Sequence, residues 1–350
     1  MRTPIDWWRR RSLQRRYFPG PRSGSGTTAK VGLALVVVIL GLAAVLEVRD
    51  RGGASLAERL ESTGVEPVDL VASAGRTNRV VLLGDVSGSA LPKRLAADAI
   101  ERLAKEQGLD AVGLEVDGDE QRWIDEYLES EPEDASVLLT HPRVLRSADG
   151  SDRAYLELYR RMWQLNRELG PARRVRVIAM DLPGWPPARA VSPAAAAAQY
   201  ARRDSVMWAR MEERILSREP RARLFLFVDG LHVLQAEASV QTGGTSTFRF
   251  SLLAERFRRE EGDGAVWSAV VDAPPARGVT ADVAKYRISR LFAPLRNNLR
   301  LPSGRLGAPL TEAFRLAPSQ IETISPPGIE LVIEPGLAGR LADAYIYLGG

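Results

Sequence analysis

The stretch VVLLGDVSGS, Val80 to Ser89, decides how this chain is read. Four consecutive apolar residues stop at Gly84-Asp85, and small residues follow. An apolar run of this length fits a strand buried on both faces, as in a parallel sheet. Leu91, Leu95, Ala99, Ile100 and Leu103 then recur at helical spacing, and Gly108 ends that helix. AVGLEV (Ala111–Val116) is the next strand. Trp123–Leu128 and Tyr155–Leu169 read as helices. His141 lies between them, before a proline, as a structural or exposed residue. VRVIAMD (Val175–Asp181), LFLFVD (Leu224–Asp229), AVWSAVVD (Ala265–Asp272) and Ala344–Leu348 complete the strands. Ser192-Pro193 caps a helix whose apolar side carries Tyr200, Met207, Met211 and Ile215. A further helix is expected from about Phe250 to Glu261. This alternation predicts an α/β domain over residues 79–350, with a mostly parallel central sheet flanked by helices.

The chain has 350 residues and no cysteine, which excludes disulfides, iron–sulfur clusters and cysteine-ligated zinc. Its 48 basic and 44 acidic side chains are unevenly spread. Arg2, Arg9, Arg10, Arg11, Arg15, Arg16, Arg22 and Lys30 face only Asp6 in residues 1–30, so the rest of the chain is slightly acidic. A nucleic-acid partner needs a basic face on the folded domain, and that reading is set aside. The basic arm precedes VGLALVVVILGLAAVL, Val31 to Leu46, which carries no charge. At about 1.5 Å per residue it reaches roughly 24 Å, and its flanks extend it to residues 31–48 as a transmembrane segment. Glu47–Asp50 is a poor cleavage site, so an uncleaved signal anchor is expected. The positive-inside rule puts residues 1–30 in the cytoplasm. The expected order is a basic arm, an anchor in the inner membrane, a juxtamembrane stalk over 49–78 with one short helix, and an extracytoplasmic domain.

In an open parallel sheet, ligands bind beyond the carboxyl ends of the strands. Five strands end in or beside a carboxylate: Asp85, Glu115, Asp181, Asp229 and Asp272. Such a rim can bind a hard cation, position a water or supply acid–base groups. His232 follows Asp229 on the same rim and is a candidate general base or metal ligand. The loop GDVSGS is not a phosphate loop, since Lys93 comes too late for that motif. It is not a G-x-S-x-G elbow either. A GDS-type serine esterase using Ser87, Asp229 and His232 is a third option, because Asp229-Gly230-Leu231-His232 reads Asp-x-x-His. Ser87 stands one residue late for it, and the Asp-x-x-His lies more than a hundred residues before the end of the chain.

Further segments fall in a telling order. After VVLLGDVSG and AVGLEV come WQLNRELGPARRVRVIAMD, ARRDSVMWARM, LFLFVDGLHV, SLLAERFRREEG and ADAYIYL. Together they resemble the superfamily of erythromycin-esterase, ChaN and Tiki proteins, over roughly Arg79 to Leu348. Those proteins hydrolyse macrolide lactones, bind haem for iron uptake, or act as metal-dependent proteases outside the cell. The resemblance implies that Asp85 takes the place of a first Glu, Glu115 of a second Glu, and His232 of a late His. It makes Asp85, Glu115 and His232 the expected catalytic or metal-binding set, with Asp181 and Asp229 as supporting rim. A divalent metal or haem is the implied cofactor, and a small molecule or peptide the implied ligand. The family's first histidine is absent; Gly88 or Ser87 stands there. Two readings follow, a hydrolase with its site at the strand ends, or a degenerate relative that binds without reacting.

Overall fold

Val80–Asp85 forms the first strand, β1, and its side chains alternate between two cores as the pleat requires. Val80 and Leu82 enter the core on one face of the sheet, Val81 and Leu83 the core on the other. The computed structural model describes residues 62–86, 89–141, 143–145, 152–185, 192–242, 246–273, 306–309, 329–335 and 341–349. The chain divides into two units, Met1–Arg51 and Gly52–Gly350, and every described residue lies in the second. The basic arm, the expected anchor at 31–48, residues 49–61 of the expected stalk, Ser87 and Gly88 all fall outside the described residues. No helix among the described residues is long and apolar enough to cross a membrane.

The remaining strands are β2 (Ala111–Asp117), β3 (Arg176–Asp181), β4 (Leu224–Asp229), β5 (Ala236–Thr242), β6 (Ser246–Ser251), β7 (Val266–Asp272), β8 (Leu306–Pro309), β9 (Ile329–Pro335) and β10 (Ala344–Tyr347). Seven of them form one sheet in the order β3-β2-β4-β1-β7-β10-β8. Every pairing is parallel except β8 against β10, which is the mostly parallel sheet expected. The helices are α1 (Pro67–Thr77), α2 (Ala90–Gln107), α3 (Gln121–Glu129), α4 (Ser136–Leu139), α5 (Asp152–Leu169), α6 (Pro193–Met211) and α7 (Leu253–Glu261). Leu70 of α1, Ile100 of α2, Tyr127 of α3 and Leu158 of α5 share one core with Val81 and Leu83. Met207 of α6 and Phe257 of α7 share the other with Val80 and Leu82. Gly108 closes α2 in the left-handed region, at φ 73°, where a side chain would be strained.

Two expectations change. The short helix assigned to the stalk is α1, and it belongs to the domain's packing, because Leu70 and Val71 bury against the sheet. Val65 also exchanges backbone hydrogen bonds of 3.0 and 2.9 Å with Gly307. The helix expected from Phe250 begins instead at Leu253, and Phe250 lies in a strand. β6, β5 and β9 form a separate antiparallel sheet. Ala238 and Val240 face Phe250 and Phe248 on one side, and Ile333 and Leu331 on the other, over the α6 core. The pattern is period two over only a few residues, so a helical continuation fits the same letters.

β3 is an edge strand, and two side-chain amides cover its open edge. Asn166 of α5 donates to Val175 O (3.0 Å) and accepts from Val175 N (2.8 Å). Gln121 of α3 donates to Val177 O and accepts from Ala179 N, both at 2.8 Å. Each amide stands in for a neighbouring strand and removes a pairing hazard. Gln121→Leu is expected to cost about 1–3 kcal/mol, the penalty for leaving buried backbone groups unpaired. Urea unfolding with an unchanged m-value checks this, and a loss under about 0.5 kcal/mol would refute it.

Candidate functional site

Strand register sorts the rim into two faces. Leu83 and Leu114 both pair with Phe227 of β4, so they stand level, and both enter the α2–α5 core. Glu115 is therefore level with Gly84 and points to the opposite face, towards α6, while Asp85 points towards α2 and α5. The contacts agree. Both oxygens of Asp85 are engaged from α2 and α5: Lys93 Nζ lies 2.6 Å from Oδ1, and Tyr155 OH lies 3.2 Å from Oδ2.

Glu115, Asp181 and His232 do come together, around two residues of α6. Arg203 donates to Asp181 through Nε (3.0 Å) and Nη2 (2.6 Å), and Nη2 also donates to Glu115 Oε1. The backbone N–H of Asp229 donates to Glu115 Oε2. His232 Nδ1 lies 2.8 Å from Asp204 Oδ1, which also accepts from Leu253 N at 2.6 Å. His232 Nε2 faces Glu115 Oε1 at 3.8 Å, too far for a hydrogen bond. Glu115, Asp181, Arg203, Asp204 and His232 are all buried, His232 only 1% exposed. Trp185, in the turn after β3, covers the Arg203 guanidinium at 4.7 Å.

The other rim residues serve the chain itself. Asp229 Oδ1 accepts from Leu231 N, and Asp229 O accepts from His232 N, so Asp229-x-x-His232 is a capped turn. The imidazole Nδ1 is engaged by Asp204, and Ser87 of the serine-esterase reading lies outside the described residues. Asp272 accepts from Tyr345 OH at 2.9 Å and ties β7 to β10. Asp117 accepts from Gly184 N (3.0 Å) and Arg143 Nη1 (2.8 Å), pinning the turn after β3. His141 stacks on Trp123 with ring centroids 3.7 Å apart.

Arg203, Asp204 and Lys93 are site residues that no motif points to, yet each carries a signal in its spacing. Tyr200, Arg203, Asp204, Met207 and Met211 fall at i, i+3, i+4, i+7 and i+11, which places two charges on the inward face of α6. Lys93, with Ala96, Ala97 and Ile100, does the same on α2.

Burial disfavours charge on Arg203, but Asp181 and Glu115 outweigh it and hold the guanidinium above its usual range. Burial likewise opposes protonation of His232, but Asp204 and Glu115 outweigh it and raise the imidazole pKa above its ordinary value. The shift favours the protonated imidazole, the form that can donate a proton. The raised folded pKa adds stability that is fully present below the unfolded value of about 6.5 and is lost as pH climbs through the folded one. The stability gap between wild type and His232→Gln is therefore expected to be widest below about pH 6.5 and to narrow as pH rises. Chemical denaturation across that range checks it, and a gap that widens with pH contradicts it.

The donors do not fit a divalent metal. Asp85 and Glu115 face opposite sides of the sheet, and each already meets a protein cation, Lys93 or Arg203. Among the described residues no three His, Asp or Glu side chains group as metal ligands. Haem fits no better at His232, whose two ring nitrogens face Asp204 and Glu115 in a buried setting.

No protein-family model matches the sequence, and no curated protein matches it significantly. Solved structures do. A Bacillus cereus protein is 12% identical, covering 85% of this chain and 97% of its own, with a TM-score of 0.56. That likeness shows a shared fold. The erythromycin esterase EreC, a histidine-to-asparagine mutant in its open conformation, is 12% identical over 80% of this chain and 92% of its own, at TM-score 0.48. The type III effector HopBA1 is 16% identical over 59% of this chain and 83% of its own, at TM-score 0.38. Neither of these two reaches a likeness on which an argument can rest.

Proposed function

We propose that this chain is a degenerate relative of the erythromycin-esterase, ChaN and Tiki proteins, tethered to the inner membrane by residues 31–48, and that its domain binds a small molecule or peptide outside the cytoplasm without cleaving it. The observation that carries this reading is the Lys93 ammonium on Asp85. The resemblance places at that end of the site a carboxylate working with a histidine; here the carboxylate is neutralised from within and the histidine is absent. On the other face Arg203 and Asp229 N engage Glu115, and Asp204 and Glu115 raise the His232 pKa, which favours its protonated form over a base. No group in this arrangement is set to activate a water.

The test is turnover of lactone, ester and peptide substrates by the full-length chain in detergent. Wild type is expected to match the Glu115→Gln/His232→Asn variant. A wild-type rate that falls at least about 100-fold in that variant, the scale of general acid–base catalysis, would overturn the reading. The Asp204–His232 hydrogen bond favours one alternative, a metal-independent hydrolase with His232 as general acid, and the same assay decides it. For the topology, an alkaline phosphatase fused after Gly350 is expected to be active, as it is only outside the cytoplasm; an inactive fusion argues against it.

A further inference from the structure

We propose that Lys93 is a resident cation that takes, at Asp85, the place a metal ion would take, and that Asp85, Lys93 and Tyr155 form a self-neutralised site independent of Glu115 and His232. This deepens the non-metal reading above and rests on it only for the meaning of the substitution, not for the geometry. The Lys93 side chain is fully buried. A buried ammonium is tolerated only when paired and hydrogen-bonded. Its nitrogen lies 2.6 Å from Asp85 Oδ1, 3.3 Å from Val86 O and 5.4 Å from the centre of the Tyr155 ring. Tyr155 OH takes the other Asp85 oxygen at 3.2 Å. One carboxylate oxygen, one backbone carbonyl and one aromatic face thus surround the cation. The contact with Val86 O also holds the chain where it leaves β1, beside the bond from Ser89 N to the same oxygen at 3.1 Å. Register sets this cluster on the α2–α5 face, with the sheet between it and the α6 face that holds His232.

The chain has only two histidines, so their ring signals report the second site cleanly. The experiment uses full-length protein in detergent, with His141→Asn to assign the two NMR signals. Lys93→Met and Asp85→Asn should each lower Tm by at least about 5 °C, because each strands a buried charge or its partner. The double variant, which removes both charges, should be more stable than either single. Its His232 titration should stay within about 0.3 unit of wild type, while Asp204→Asn should lower it by about a unit or more. A single variant that does not fold agrees with the proposal, provided the double variant folds. Additive losses in the double variant refute the counter-ion role. A His232 shift of about a unit in the double variant refutes the independence of the two sites. Wild-type hydrolysis would overturn the non-catalytic reading and leave these two results standing.

Discussion

Arg203→Met is expected to destabilise the domain by about 3–5 kcal/mol, the usual cost of breaking a buried ion pair by removing one partner. The guanidinium lies between Asp181 and Glu115, and without it two buried carboxylates face each other with no cation between them. The loss is the cost of that uncompensated pair of buried charges. Arg203→Lys should recover only part of it, because an ammonium cannot reproduce the two-pronged bond to Asp181 while also reaching Glu115. Trp185 would lose the cation it stacks on, so its fluorescence should change in the Met variant and less in the Lys variant. Equilibrium unfolding of the three proteins measures the effect. A loss below about 1 kcal/mol would mean the network is exposed to solvent, where such pairs contribute little.

Asp204→Ala is expected to be comparably severe, at about 3 kcal/mol or more, for two separable reasons. His232 loses the carboxylate that holds its proton, and Leu253 N, at the start of α7, loses its acceptor. With Asp204 gone, burial should dominate and the His232 pKa should fall. Asp204→Asn keeps an acceptor for Leu253 N and removes only the charge, so it should restore part of the stability while leaving the pKa low. If both variants leave the His232 titration unchanged, Asp204 does not orient the imidazole.

Much of the fold was legible because its determinants are local. VVLLGD, AVGLEV, RVIAMD and LFLFVD are doubly apolar runs, and such runs are strands of a parallel sheet wherever helices flank them. Ser192-Pro193 starts α6 as expected, with the Ser192 hydroxyl accepting from Ala195 N at 3.2 Å. The small sheet was not legible, because β9 joins the β5–β6 pair from a segment far along the chain, and Phe248 and Phe250 are too few to establish a period. Lys93, Arg203 and Asp204 stood in plain view on apolar helix faces. A long charged side chain in such a place usually reaches out to water, so its burial shows only when the partners arrive from other elements.

For the site, the sequence alone determined that carboxylates stand at the ends of the core strands and that one histidine follows the fourth. Only the tertiary structure decided which of them meet. Side-chain direction alternates within each strand, but whether Asp85 and Glu115 face the same way depends on the register between β1, β4 and β2, and register is a property of the sheet. That register sends Asp85 to Lys93 and Glu115 to Arg203, and so parts a rim that reads as one site along the chain into two.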